Sequence, residues 1–149
     1  MELKIKALSP KIGQEIPYPH FATGGSAAMD LCACIDEPLT IPPHGRALVP
    51  NGIAIALPSP EYVALVFARS GLASKKGIAM ANGVGVIDSD YRGHLTTPII
   101  NNSDEPYTVQ PGDRIAQLMV VPVIQPQLSI VDELDETERG AGGFGSTGR

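Results

Sequence analysis

Turn signals recur along this chain at intervals too short for ordinary helices. Pro42-Pro43-His44-Gly45, Asn51-Gly52, Pro58-Ser59-Pro60, Asn101-Asn102-Ser103-Asp104 and Pro111-Gly112-Asp113 each join residues that favour turns or interrupt regular hydrogen bonding. Short apolar runs lie between them. Leu3, Ile5 and Ala7 alternate with Lys4 and Lys6, the period of a half-buried strand. Further strands are predicted at Arg46–Val49, Ile53–Leu57, Tyr62–Phe67, Ile78–Met80, Gly85–Ile87, Leu95–Ile100, Tyr107–Val109, Ile115–Val123 and Leu128–Val131. The fold class this predicts is all-β, a jelly-roll-like sandwich or barrel. The absence of a long helical pattern argues against a βαβ fold and its dinucleotide site.

One short helix is predicted at Ser70–Lys76. Ser70 suits its N-terminal cap, Lys75 and Lys76 suit the negative end of its dipole, and Gly77 suits its termination. A weak echo links Leu39–Arg46 with Tyr107–Arg114, since both alternate, turn at Pro and Gly, and end in Arg. It is read as two similar jelly-roll halves or, more simply, as shared hairpin chemistry.

The 149 residues fit a single domain, and with aromatics at 5% and no Trp its core must be aliphatic. From Asp132 to Glu138 the chain is acidic, and from Gly140 to Gly148 it is rich in glycine. Neither composition packs into a core. A β domain is therefore expected over 1–131, with a mobile arm over 132–149.

Net charge bounds the partners. At −5 the chain lacks the basic excess of a duplex-binding surface, so nucleic acid is not an expected partner. A few arginines in a cleft can still attract a small anion. No segment reaches the length of a membrane span and no signal peptide is apparent, so no membrane partner is expected and a cytoplasmic location is. Cys32 and Cys34 stand two apart, a spacing suited to neither an ordinary disulfide nor a complete metal site, and read as small apolar filler.

Four segments can carry chemistry. Arg69-Ser70-Gly71 at the start of the short helix offers a forked donor and outward-pointing amides to an anion, or is a surface Arg beside an ordinary cap. Asn82 through Gly93 alternates glycine with apolar residues and then presents Asp88, Asp90 and Tyr91. Its edge can pair with a flat base, or it is a hairpin followed by a turn. Gln117 interrupts an apolar strand, and its amide needs either a backbone partner or a phosphate. The tail from Arg139 to Gly148 brings glycine amides, two hydroxyls and one Phe to an anion, or is a disordered end.

Together these segments resemble the motifs of the trimeric dUTP diphosphatases, the dUTPases. Ala27-Ala28-Met29-Asp30-Leu31 is similar to the family's first motif, Arg69-Ser70-Gly71 to the second and Asn82–Gly93 to the third. Gly112–Leu118 is similar to the fourth and Arg139–Gly148 to the fifth. The chain departs from the pattern at Ala28-Met29, where Gly-Tyr is common, and at Ala68, where Pro is common. The resemblance implies a homotrimer with active sites shared between subunits. Its implied reaction is hydrolysis of dUTP to dUMP and pyrophosphate with Mg²⁺, which limits uracil in DNA and supplies dUMP for dTMP synthesis.

The resemblance also implies roles for individual residues. Asp88 activates the attacking water, and Asp30 touches the hydration shell of the metal. Asn82 and the backbone of Gly85, Val86 and Ile87 read uracil, while Tyr91 packs under the deoxyribose. Arg69, Ser70, Gly71 and Gln117 hold phosphates. Arg139, Phe144, Gly145, Ser146 and Thr147 form a lid. The rivals are a dCTP deaminase on the same fold, a non-catalytic nucleotide-binding protein and a purely structural β trimer. The complete fifth motif argues against the first, and the intact Asp88 and Arg69 against the second.

Overall fold

The turn signals become corners between short antiparallel strands. The computed structural model describes residues 1–143. In chain order its elements are β1 (Lys4–Ala7), β2 (Met29–Cys32), β3 (Leu39–Ile41), β4 (Arg46–Pro50), β5 (Ile53–Ala56), β6 (Tyr62–Ala68), α1 (Ser70–Lys76), β7 (Ile78–Met80), β8 (Gly85–Ile87), β9 (Thr96–Asn101), β10 (Tyr107–Val109) and β11 (Arg114–Pro122). A four-stranded sheet runs β2-β11-β6-β8 and a three-stranded sheet runs β4-β9-β7. Two smaller pairs, β1-β5 and β3-β10, complete the sandwich. The sheets stay open, as in a jelly-roll-like β-sandwich rather than a closed barrel.

The core is aliphatic. Leu31, Ile53, Leu118 and Val66 anchor one cluster, and Ile41, Val49, Ile78, Ile99 and Val109 the other. Burying a Leu, Ile or Val side chain contributes about 1.5–3 kcal/mol. These residues come from strands far apart in the chain, so the two clusters hold the sheets together.

Three local expectations change. Met29–Cys32 and Leu39–Ile41 form strands beyond those predicted. β2 is buried at three of its four positions, and its single polar residue, Asp30, is too little alternation to read as a strand. Leu128–Val131 was expected as a strand, yet Leu128 is 86% and Ile130 100% exposed and no ladder forms there. A strand needs a neighbour for its amides and carbonyls, and none pairs with this segment among the described residues. Helix α1 spans the expected residues and ends at Gly77 in the left-handed conformation. Its N-cap, however, is Arg69 in extended backbone, without a side-chain hydrogen bond; Ser70 is already helical and its carbonyl accepts the Ser74 hydroxyl at 2.6 Å.

The two echoing segments pair with each other, Leu39 opposite Val109 and Ile41 opposite Tyr107. The Thr40 and Thr108 hydroxyls meet across this pair at 2.8 Å.

Asn101, read in the sequence as part of a turn, is a fully buried knot. Its amide nitrogen donates to the carbonyls of Ile41, Pro42 and Glu105, and its oxygen accepts the Ser103 amide and hydroxyl. Asn101→Leu removes every one of these bonds. Each buried group left unpartnered costs about 1–3 kcal/mol. A marked fall in the urea midpoint at unchanged slope is the expected result.

Candidate active site

Alternation along the four-stranded sheet assigns its side chains to two faces. Asp30, Gln117 and Phe67 stand side by side in register on the outer face. Their chain neighbours Leu31, Ala116 and Val66 turn inward to the core.

The outer row floors a cleft that also takes in Arg69, Ser70 and Gly71. Arg69 donates through Nε to Asp30 Oδ1 at 2.8 Å, and Arg114 through Nη1 to Asp30 Oδ2 at 3.1 Å. Arg69 also donates to the Arg114 carbonyl at 3.3 Å. Asp30 is 16% exposed, so two guanidiniums compensate a largely buried carboxylate and are held in place by it. Lys75 and Lys76 line the same cleft. Four cations against one carboxylate give it a positive field within a chain of net charge −5. The uncapped first turn of α1 leaves amides directed away from the helix. Gln117 satisfies one donor on the Ala68 carbonyl at 2.9 Å, the backbone partner that its strand position made possible.

Arg114 and the two lysines were absent from the candidate list. Arg114 meets Asp30 across 84 positions of sequence, which local spacing cannot reveal. The lysines were assigned only to the helix dipole.

A second cavity opens on the inner side of β8. Asn82, Gly85, Val86, Ile87, Asp88 and Tyr91 line it, over a floor that includes Leu31 and Val66. Gly85 packs closely, since an added Cβ would stand 3.1 Å from that of Val66. The Tyr91 ring lies over Gly93, where a Cβ would fall 2.3 Å from its hydroxyl oxygen. That hydroxyl donates to the His94 carbonyl at 3.2 Å, and Arg92 clasps the loop through the Ser89 and Tyr91 carbonyls at 2.8 and 2.9 Å. Among the described residues the Asp88 carboxylate makes no ion pair.

The candidate residues thus fall into two groups. Asp30, Arg69, Ser70, Gly71 and Gln117 share the cationic cleft, while Asn82, Gly85, Val86, Ile87, Asp88 and Tyr91 share the cavity. Because Leu31 and Val66 floor one while Asp30 and Phe67 floor the other, the two open on opposite faces of one sheet. Arg139 joins neither; it lies on the exposed arm with Nε on the Gly142 carbonyl at 2.8 Å. Phe144, Gly145, Ser146 and Thr147 fall outside the described residues.

Both cysteines are free, and burial pushes the Cys32 thiol up from its ordinary value, as expected of filler. No group of three potential metal-ligating side chains occurs among the described residues.

Comparison with known proteins places this architecture. The family model described as dUTPase matches residues 14–148. The deoxyuridine 5'-triphosphate nucleotidohydrolase of Idiomarina loihiensis is 52% identical over 148 residues, covering 99% of this chain and 98% of that protein. The protein of the same name from Coxiella burnetii is 50% identical over 147 residues, covering 99% and 97%. In three dimensions the chain is similar to the dUTPase of Staphylococcus bacteriophage 80alpha solved with dUpNHpp (TM-score 0.86, 28% identity, 99% of both chains). It is also similar to a dUTPase of phage phi11 of S. aureus described as coordinating a structural Mg(II) ion (TM-score 0.78, 25% identity, 91% of this chain and 100% of that one). The open β-sandwich and these matches define a nucleotide hydrolase. The chain belongs to the dUTPase family.

Proposed function

We propose that this protein hydrolyses dUTP to dUMP and pyrophosphate. The observation that carries this reading is the cavity that gathers Asn82, Gly85, Asp88 and Tyr91 on one wall. Asn82 and the β8 backbone supply the donors and acceptors that a uracil edge requires. Cytosine presents the reverse pattern, and leaving buried polar groups unpaired rejects an analogue strongly. Tyr91, held over Gly93, supplies a flat wall under the deoxyribose and leaves no room for a 2′-hydroxyl.

Asp88 orients the attacking water in line with the α-phosphorus and accepts its proton, working chiefly by positioning. Arg69, Ser70, Gly71 and Gln117 bind the phosphates. The forked guanidinium of Arg69 is aimed by Asp30, and the spare N–H of Gln117 is free for an oxygen once the other is on Ala68. Arg139, Phe144, Gly145, Ser146 and Thr147 close over the nucleotide as a lid. The 1–131 domain thus provides the scaffold and the 132–149 arm the cover.

The cleft is cationic and draws no free cation, so a magnesium ion would have to arrive on the triphosphate. Asp30 is the single carboxylate in the cleft and is shared by two guanidiniums, so it would hold such an ion through water, with phosphate oxygens supplying the direct ligands. Mg²⁺ bound there supplies neutralisation of phosphate charge during the reaction.

The active unit is a homotrimer with each site shared between subunits. Two features support this. The cleft and the cavity lie on opposite faces of one sheet, so a single copy cannot wrap one nucleotide with both. The outer face also leaves Leu65, Phe67 and Met119 only partly covered and Val86 64% exposed, while the arm carries exposed Ile124, Leu128, Ile130 and Leu134. Apolar surface of this extent marks an interface. Two unpaired cysteines fit a reducing cytoplasm, and no helix among the described residues is long and apolar enough to cross a membrane.

The deciding experiment is pyrophosphate release from dUTP, dCTP, dTTP and UTP under identical conditions. A preference for dUTP of at least about 10²-fold in kcat/KM is expected. Comparable rates on all four would remove the assigned specificity, and ammonia release from dCTP would instead favour the deaminase.

A further inference from the structure

The Tyr91 loop is tied to the body of the domain by His94, a residue outside the candidate set. The Gly52 amide, in the left-handed turn between β4 and β5 (φ 74°), donates to His94 Nε2 at 2.9 Å. An N–H pointing at Nε2 needs a lone pair there, so the imidazole is neutral with its proton on Nδ1. The carbonyl of the same residue accepts the Tyr91 hydroxyl at 3.2 Å. Leu95 continues the link: its carbonyl accepts the Asn51 amide at 2.9 Å, and its own amide donates to Ile53 at 2.8 Å. His94 lines the cavity with Asp88 and Tyr91.

We propose that His94 is a positioning residue for nucleotide binding, its neutral imidazole tying the Tyr91 loop to the β4–β5 turn, and that protonation at Nε2 loosens the cavity's grip. The inference rests on the dUTP reading above. Protonation makes Nε2 a donor facing the Gly52 donor, so the bond is lost. Histidine is the side chain that ordinarily changes charge between about pH 5 and 8. Asp88 and Tyr91 line the same cavity as His94, and Cys34 lies against Gly52. Arg92 is engaged with its own loop carbonyls and shares a separate groove with Lys4 and Lys6 of β1. Among the described residues none of these side chains hydrogen-bonds the imidazole.

The test is kcat and KM for dUTP from about pH 5 to pH 8 in the wild type, H94Q and H94L. The terminal phosphate of dUTP titrates in the same window, so the readout is the ratio of wild-type to H94Q KM, in which the substrate cancels. That ratio is expected to rise roughly threefold to tenfold as pH falls, the worth of one hydrogen bond. H94L has no acceptor, so its KM is raised at every pH, and the amide oxygen of H94Q recovers most of that loss. A ratio flat with pH, or H94L with wild-type KM, overturns the proposal. Hydrogen-exchange protection of the Gly52 amide without nucleotide reads the link independently of catalysis. Protection that falls with pH in the wild type and holds in H94Q supports it, and equal behaviour overturns it. Absence of pyrophosphate release by the wild type at every pH overturns the dUTP reading instead.

Discussion

Asp88→Asn is expected to lower turnover of dUTP by about 10²–10⁴-fold, the range lost when a positioned general base is removed. The amide keeps the size of the carboxylate and can still orient a water, but it cannot accept the proton. Asp88 follows directly on β8 at the mouth of the cavity, and among the described residues no cation pairs with its carboxylate. Its loss therefore orphans no partner, and the fold and the nucleoside contacts should persist. Single-turnover pyrophosphate release combined with equilibrium binding of a non-hydrolysable dUTP analogue separates the two effects. Near-normal turnover would remove Asp88 from the role of base. Lost binding with unchanged turnover would make it a substrate ligand.

Truncation after Glu138 is the second large effect. It removes Arg139 and the segment that follows, while the last strand ends at Pro122 and residues 124–140 are exposed. Among the described residues no buried side chain lies beyond Leu118, and none beyond Val120 packs against the core. The truncated chain should melt at the temperature of the full one and elute as the same oligomer. Its kcat/KM for dUTP should fall by at least about 10²-fold, because preorganised donors to developing phosphate charge are worth about 2.7–4 kcal/mol each. Full activity would make the tail dispensable, and a lowered melting temperature would make it part of the scaffold.

Much of the fold was legible because turn chemistry and period-two alternation are local. The helix from Ser70 to Lys76 and strands such as Gly85–Ile87 and Tyr107–Val109 emerge at the expected positions. What stayed hidden depends on partners distant in the chain. β2 is short and buried at three of its four positions, so Asp30 alone marks its outer face, while Leu128–Val131 finds no strand to pair with among the described residues. The same division holds at the site. Asp88, Tyr91 and Asn82 lie within one stretch and could be grouped by spacing, and the cavity brings them together. Arg114 became relevant only through its contact with Asp30, and His94 only through Gly52. Ser70 looked like a helix cap because its residue type suits one, whereas Arg69 occupies that position and directs its side chain to Asp30.

One consequence of the two-faced sheet concerns which changes in chain length the protein can tolerate. Along β6, Val66 belongs to the cavity and Phe67, next to it, to the cationic cleft. In β2 the same holds for Leu31 and Asp30. At these two steps parity along the strand works as an address, while the bulge between Arg114 and Ala116 in β11 lets Arg114 and Gln117, three apart, share the cleft. A single inserted or deleted residue within β2, β6 or the regular Ala116–Pro122 stretch of β11 would turn every later side chain of that strand to the opposite face. Gains and losses of length should accordingly collect in the corners, and descendants of this chain should keep those three strands at constant length even where their apolar residues drift.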